Sequence, residues 1–478
     1  MYDIIIIGND LSSLVAAVIS VFYGKATVLL SSHGLPATYT IANYNFNTNP
    51  LPLTGLGTNQ IFSDFLSELG IFHEYEKNIV LLRPSLQFFF PNQRIELYNN
   101  NEELLMELQR ELSVDEQELK NFCMNLSSLS NSSDILIKSS LRLHTKYRNR
   151  FISSLQSFSE LLKLCWLLFR IILKIRNHKV LENIYKAKLQ LLLNFSKEKV
   201  SFFSSLFSYI LSFSSRDFYY LLGGKRSLMD AIKEIFISHG GQVIDKGSIN
   251  KIVPGREIKI DIDGREIESK NLIISTMSGG LNILLGDKKM RRIKNHIKKI
   301  QNKYYAFTLH MGIMTKGIPE KMAPYSAIYV SENEDILDNM IYVELSLPED
   351  FGRAPCDKRA LSATALLKNS PLFLSNLEFN NITEIIMKYL KTVIPFLEVN
   401  LDYLNVEASI EFSKKYHNIL NESYNIKSGT LFNNSFSPKR THMKNIYIMN
   451  GRSQSGLGCE GEIMAGRNAA FSIITQEE

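Results

Sequence analysis

The chain has 478 residues, of which 45% are hydrophobic, so it is long enough for two or three domains with a sizeable core. The formal net charge of +6 comes from 54 basic and 48 acidic residues. This mild excess, without a basic and aromatic module, argues against nucleic-acid binding.

The four cysteines lie far apart at positions 123, 165, 356 and 459, with no metal-ligand spacing. We therefore expect free thiols, a reducing compartment and no metal site. The sequence has no secretory signal pattern at its start and no uncharged apolar stretch of the ~20 residues that a membrane span needs. These features predict a cytoplasmic protein that reaches a membrane, if at all, as a peripheral one.

The first thirty residues predict a strand, a helix and a second strand. Ile4 to Ile7 is a β-branched run that is apolar on both faces, which is typical of a central parallel strand. Gly8 ends it, apolar residues then recur at helical spacing over residues 11–23, and residues 26–30 form another apolar strand. This order indicates the opening βαβ unit of a Rossmann-type α/β fold.

The turn after the first strand departs from the dinucleotide fingerprint G-x-G-x-x-G. Only Gly8 is present, and Asp10 stands where the second glycine would let the backbone approach a diphosphate. The second strand ends at Ser31 and Ser32, where an acid would bind a ribose. Two interpretations stay open: a dinucleotide site with a neutral ribose partner, or a Rossmann shell whose first helix is capped by Asp10 and holds no dinucleotide.

Residues 99–214 have helical periodicity, interrupted by a Ser- and Asn-rich stretch at 127–133 that predicts a linker. One predicted helix begins at Phe158 and ends at Ile175. Lys163, Arg170 and Lys174 form a narrow basic stripe on it, and nearly all its other residues are apolar. This pattern fits a helix lying on an anionic membrane surface, or a core helix whose basic stripe is its solvated face. A second apolar segment, residues 200–215, carries no charge. Together the two segments favour a patch that contacts a membrane surface or the apolar mouth of a tunnel.

Strand and turn signals return after residue 215. Gly223 and Gly224 precede a predicted helix, and Asp263 and Gly264 mark a predicted hairpin. Residues 288–303 predict a basic helix, and residues 301–435 predict a mixed sheet. Near the end, a strand over residues 446–449 leads through a glycine-rich turn into a last helix over residues 462–474. So many glycines between a strand and a helix N-terminus indicate close backbone approach to an anion or a ring.

The order of these motifs resembles the phytoene desaturase branch of the flavin-dependent amine oxidase superfamily. The matching segments are Gly223-Gly224-Lys225-Arg226-Ser227-Leu228, Gly240-Gly241, Ile249-Asn250-Lys251-Ile252, Asp263-Gly264, Lys444-Asn445-Ile446-Tyr447 and Ser455-Gly456-Leu457-Gly458-Cys459-Glu460-Gly461. The resemblance implies an α/β fold with a discontinuous Rossmann-like FAD/NAD(P)-binding domain and an inserted helical and mixed α+β substrate domain. The implied boundaries are 1–98, 215–300 and 436–478 for the Rossmann-like domain, 99–214 for the helical insert, and 301–435 for the mixed-sheet substrate domain.

The resemblance also implies FAD as cofactor and assigns residues to its parts. Gly8, Asp10, Leu11 and Ser12 would form the diphosphate turn. The ribose would face Ser31 or Ser32, and the adenine would face Ile249. The flavin end and the diphosphate would be approached by residues of the last turn, namely Gly451, Arg452, Gly458, Glu460 and Gly461.

Two functions follow from the resemblance. The first is an FAD-dependent oxidoreductase that removes hydride from a lipophilic substrate such as an isoprenoid. The second is a cofactor-free carrier of a lipid or prenyl group on the same fold. The Rab GDP-dissociation inhibitors and escort proteins, which resemble this fold and bind no flavin, set the precedent for it.

Overall fold

The computed structural model describes residues 1–32, 35–57, 60–112, 114–141, 150–192, 217–275, 283, 297–300, 305–330, 339–421, 423–426, 439–440, 445–449 and 458–475. The helices within these ranges are α1 (Leu11–Phe22), α2 (Ile61–Glu68), α3 (Phe72–Glu76), α4 (Asn101–Glu111), α5 (Glu116–Leu141), α6 (Arg150–Ile175), α7 (Lys179–Leu192), α8 (Gly224–Ser238), α9 (Asn376–Val393), α10 (Val406–Asn421) and α11 (Cys459–Ile474).

The strands belong to two large sheets and three small ones. They are β1 (Tyr2–Ile7), β2 (Thr27–Leu30), β3 (Thr38–Ile41), β4 (Tyr44–Asn47), β5 (Leu53–Thr54), β6 (Ile79–Leu81), β7 (Leu86–Phe89), β8 (Arg94–Leu97), β9 (Phe218–Leu221), β10 (Gln242–Ile244), β11 (Ile249–Val253), β12 (Ile258–Ile262), β13 (Arg265–Ser275), β14 (Ile297–Ile300), β15 (Tyr305–Met314), β16 (Tyr325–Tyr329), β17 (Met340–Leu345), β18 (Lys358–Leu367), β19 (Leu401–Leu404), β20 (Ser423–Ile426), β21 (Lys439–Arg440) and β22 (Ile446–Met449).

The first large sheet is Rossmann-like. Its order is β10-β2-β1-β13-β12-β11, and β22 also pairs with β13. The pairs β10–β2, β2–β1, β1–β13 and β13–β22 are parallel. The strands come from three distant parts of the chain, which confirms the predicted Rossmann-like α/β fold. The carboxyl ends of β1, β13 and β22 meet at one edge, where a ligand site of such a fold is expected.

Apolar layers cover both faces of this sheet, as the isoleucine run predicts. Ile4 and Ile6 pack in a cluster with residues of α1 and α11, and Ile5 and Ile7 pack on the opposite face with residues of β11 and β12. All four are 0% exposed. Burial on both faces explains why the strand is continuously apolar rather than alternating.

The second large sheet is mixed, with the order β19-β15-β18-β17-β16-β7-β8. One face packs on α9: the rings of Phe307 and Phe379 lie 5.0 Å apart, and Val343 and Ile386 belong to the same buried cluster. The hairpin β7–β8 joins this sheet by parallel pairing of β7 with β16, although the sequence groups residues 86–97 with the first segment.

Two local predictions are wrong. Residues 127–133 lie within the continuous helix α5 instead of a linker, because Leu126 and Leu129 extend its apolar face and Ser133 is 0% exposed. Residues 297–300, predicted within a basic helix, form β14 because they pair with β20. The apolar segment at residues 200–215 lies outside the described residues. Among the described helices, none combines the length and hydropathy needed to cross a bilayer.

Candidate functional site

A small cleft, with a cavity volume of about 50 Å³, opens where α1, α8 and α11 begin. Its polar lining includes Asn9, Asp10, Lys225 and Glu462, and its apolar lining includes Leu11, Leu35, Leu53, Phe62, Leu228 and Met229. Three helix N-termini therefore converge on this small cleft.

Asp10 caps α1 and fills the anion position at its N-terminus. Its carboxylate accepts hydrogen bonds from the backbone N–H of Ser13 at 2.8 Å, from the Ser13 hydroxyl at 2.8 Å and from the Ser12 hydroxyl at 2.6 Å. The hydroxyl of Ser275, at the carboxyl end of β13, donates a fourth bond. The Asp10 carboxylate thus takes the Ser13 N–H and places a negative charge where a diphosphate would bind.

Gly8 serves the same local packing. A Cβ at this position would lie 2.2 Å from the Ser13 hydroxyl oxygen and 2.9 Å from the Cβ of Ser275. The glycine that survives from the fingerprint therefore makes room for the two serines that hold Asp10.

Ser31 is also engaged by a neighbouring strand. Its hydroxyl donates to the carboxylate of Asp245, which follows β10 and forms an ion pair with Lys233 at 2.8 Å. Burial raises the pKa of Asp245, but the hydrogen bonds from Lys233 and Ser31 outweigh burial, and its pKa lies below the ordinary value. A carboxylate therefore stands beside the end of β2, although it comes from the next strand.

The remaining residues predicted near the adenosine lie apart from the cleft lining. Ser32 is exposed in the turn after β2. Ile249 is 5% exposed in the apolar layer that also contains Ile7 and Leu30. Its contact with an adenine remains a prediction.

The beginning of α11 forms the opposite wall of the cleft. Gly458 caps this helix with φ 59, a conformation that favours glycine, and a Cβ there would lie 3.1 Å from the Thr54 hydroxyl oxygen. The N–H of Gly461 donates to the carbonyl of Gly458 at 3.1 Å. Glu460 is 1% exposed and lies against Gly55, where a Cβ would be 2.1 Å from the Glu460 Cγ.

The structure thus brings Asp10 and Leu11 into one cleft with the start of α11. Gly451 and Arg452 lie outside the described residues. Sequence reasoning missed Lys225 and Glu462. The signal for Lys225 was its position directly after Gly223 and Gly224, within the first turn of α8.

Lys225 places a cation at the cleft and ties α8 to the loop after β4. Its ammonium group donates to the carbonyl of Asn49 at 3.2 Å. Gly224 has φ 74, a conformation that favours glycine, and a Cβ there would lie 3.0 Å from the Asn47 side-chain oxygen.

A buried ion pair holds that loop against the second large sheet. Arg353 and Glu344 are 1% and 0% exposed, and an Arg353 Nη atom lies 2.9 Å from a Glu344 carboxylate oxygen. The Asn47 amide donates to the same carboxylate at 2.7 Å. The Tyr220 hydroxyl donates to Asp350 at 2.6 Å and accepts from Arg353 at 3.3 Å.

FAD does not fit the first half of this site. Its diphosphate needs backbone amides and close backbone approach at the start of α1, where the Asp10 carboxylate stands and accepts from the Ser13 N–H. At the end of β2, in contrast, the Ser31 hydroxyl and the Asp245 carboxylate are polar groups that a ribose could contact. Among the described residues, no group of three His, Cys, Asp or Glu side chains could hold a metal ion.

No protein-family model matches the sequence, and no curated protein matches it. Solved structures resemble it over nearly the whole chain. Putrescine oxidase bound to putrescine has a TM-score of 0.56 at 12% identity, covering 99% of each chain. A RAB GDI from Plasmodium falciparum has a TM-score of 0.52 at 13% identity, covering 98% of this chain and 97% of that one. An oxidoreductase from Methanosarcina mazei has a TM-score of 0.53 at 13% identity, covering 97% and 98%.

At these identities the likeness shows the fold alone. The chain shares its fold with putrescine oxidase, with the Methanosarcina mazei oxidoreductase and with the RAB GDI. Membership of the flavin-dependent amine oxidase superfamily, and of its phytoene desaturase branch, stays a prediction.

Proposed function

We propose that this chain is a cofactor-free protein that binds a lipophilic molecule on a flavoprotein fold. One observation carries the proposal: the Asp10 carboxylate occupies the anion position at the start of α1, held by Ser12, Ser13 and Ser275. The resemblance of the fold to a RAB GDI, over 98% of this chain, is in keeping with a role other than redox chemistry.

The energies favour exclusion of a diphosphate while Asp10 is ionised. Two like unit charges about 4 Å apart repel by about 4 kcal/mol at an effective dielectric constant of about 20. The helix dipole offers an anion only about 0.3–1 kcal/mol, and a diphosphate carries more than one charge. Moving Asp10 aside would cost the cap as well, about 1 kcal/mol.

The lining of the cleft favours a lipophilic ligand. Its lining includes the apolar side chains of Leu35, Leu53, Phe62, Leu228 and Met229. A lipid or prenyl chain that covers this surface would gain about 25 cal/mol per Å² of apolar area removed from water. Lys225 and the helix N-termini would suit an anionic or polar head at the rim.

The second candidate is a phytoene desaturase-like FAD-dependent oxidoreductase acting on a lipophilic substrate such as an isoprenoid. It is favoured by the meeting of α1 and α11 at one cleft that also holds Lys225. In this candidate residues 99–214 and 301–435 form the inserted substrate domain, and a bound flavin would supply hydride transfer. The chain's part would be to bind and orient the substrate and to exclude water.

Purified full-length protein separates the two candidates. The proposal expects no flavin absorption bands and no thermal stabilisation by added FAD, whereas a ligand at 100 times its Kd would stabilise the fold by about 2.7 kcal/mol. It also expects organic extraction to release a lipophilic molecule. About one flavin per chain would refute the proposal in favour of the oxidoreductase.

A pair of variants on α8 tests the place of the ligand. Met229→Lys puts a charge into the apolar wall of the cleft, and Ile237→Lys puts the same charge on the exposed side of that helix. We expect the first to lose the extracted lipophile and the second to retain it. Equal retention in both would exclude the cleft as the binding site.

We also propose a cytoplasmic location, which the free thiols at all four cysteine positions support.

A further inference from the structure

Helix α6 carries a row of large apolar side chains that face solvent. Leu162, Trp166, Phe169 and Leu173 are 56%, 57%, 60% and 47% exposed. Their spacing places them within about 60° of one another on a helix that turns about 100° per residue. The row therefore forms one continuous face, hereafter the α6 face.

This face is separate from the side by which α6 packs into the protein. Leu164, Leu168 and Ile171 are at most 2% exposed and belong to the core of the helical region. The basic stripe is thus not the only exposed part of the helix. In the part of the chain that the structure describes, the apolar face beside it is open to solvent, which is typical of an interaction surface.

Positive charge borders the α6 face. Residues 161–181 include five Lys or Arg residues and no Asp or Glu. Lys163 and Arg170 are exposed, and the guanidinium of Arg170 lies 4.7 Å from the centre of the Trp166 ring. An apolar row with an aromatic side chain at its centre and cations along one edge complements a surface with an apolar interior and anionic head groups.

We propose that the α6 face docks the protein on an anionic lipid bilayer, with α6 lying in the plane of the interface. Trp166 and Phe169 enter the boundary between head groups and acyl chains, and Lys163 and Arg170 contact lipid phosphates. Among the described helices, none could span the bilayer, so the attachment is peripheral. This proposal does not depend on what the cleft binds.

The test is flotation of the full-length protein with vesicles of phosphatidylcholine alone and of phosphatidylcholine with phosphatidylserine. We expect binding to the vesicles that contain phosphatidylserine. Trp166→Glu with Phe169→Glu should weaken that binding by at least about tenfold, because two buried aromatic surfaces are lost. Lys163→Glu with Arg170→Glu should weaken it by at least about fivefold for each residue, because each change removes a positive charge and adds a negative one.

A matched control comes from α9. Phe373, just before that helix, and Leu377 in its first turn are 83% and 75% exposed, so changing both to Glu adds the same charge to another exposed apolar site. This control should bind vesicles as the wild type does. Absence of wild-type binding, or equal loss in the control, would overturn the proposal.

Sedimentation of the same variants tests the competing occupant, a second copy of the chain. The proposal expects the wild type and the Trp166→Glu, Phe169→Glu variant to sediment as the same species without lipid. A wild-type dimer that this variant converts to a monomer would assign the α6 face to self-association and would overturn the proposal.

Discussion

Gly466 of α11 faces the backbone carbonyl of Ser12 in α1, and an added Cβ would lie 2.3 Å from that oxygen. The same Cβ would lie 2.8 Å from the Cβ of Val15. Only glycine permits this close approach of α1 and α11, two helices from opposite ends of the chain that both begin at the cleft. The glycine of α11 therefore helps to form the site without lining it.

Substitution at this contact should destabilise the protein strongly. Gly466→Val must push α11 away from α1, and we expect a loss of about 3 kcal/mol, with a smaller loss for Gly466→Ala. Urea unfolding of both variants measures it. Ser472→Val, at a half-buried position of the same helix, controls for the helix propensity of valine. If Gly466→Val unfolds at the same urea concentration as the wild type, the close contact between the two helices is contradicted.

The buried ion pair beside the cleft should also be sensitive to single changes. Glu344→Gln leaves Arg353 buried without its counter-charge, and we expect a loss of about 3–5 kcal/mol. Adding Arg353→Met to that variant should recover part of the loss, because no charge is then left unpaired. A double-mutant cycle in urea measures the coupling, and additive losses would mean that the two groups act independently.

His310 should make stability depend on pH. Burial, together with the positive charge of Arg353, lowers the pKa of this imidazole from 6.5 to about 3 in the folded protein. Between these values the unfolded chain binds a proton that the folded chain does not. Stability should therefore fall as the pH falls through this window, by up to about 1.4 kcal/mol per pH unit.

His310→Phe tests this prediction. Tyr39, Phe46 and Phe412 surround the ring, so an aromatic replacement fits the surroundings. We expect a shallower loss of stability between pH 6.5 and about 3 in this variant, measured by urea unfolding at several pH values. His73→Gln, at an exposed side chain, is the control and should leave the dependence of the unfolding free energy on pH unchanged. If His310→Phe also leaves this dependence unchanged, the prediction for His310 is wrong.

Local patterns predicted the first sheet well, since burial on both faces dictates the run from Ile4 to Ile7. They also indicated Asp10 as a helix cap, because an N-cap depends on residues within one turn. The pair of Glu344 and Arg353 could not be predicted, because it joins positions that only the tertiary fold brings together. The linker expected at residues 127–133 failed for the same reason, since packing against other helices outweighs the turn preference of Ser and Asn.

Substitutions of Asp10 test most directly whether its carboxylate, as the N-cap of α1, prevents an anion from binding there. Asp10→Asn keeps a side-chain acceptor for α1, so we expect a loss below about 1 kcal/mol, whereas Asp10→Gly loses the bonds from Ser12, Ser13 and Ser275 and should cost more. Asp10→Gly should nevertheless bind inorganic pyrophosphate, because it frees the backbone amides and removes the repelling charge. Calorimetric titration measures this binding, and wild-type protein should show none. Equal pyrophosphate affinity in the wild type and Asp10→Gly would mean that the Asp10 carboxylate does not exclude anions from the N-terminus of α1.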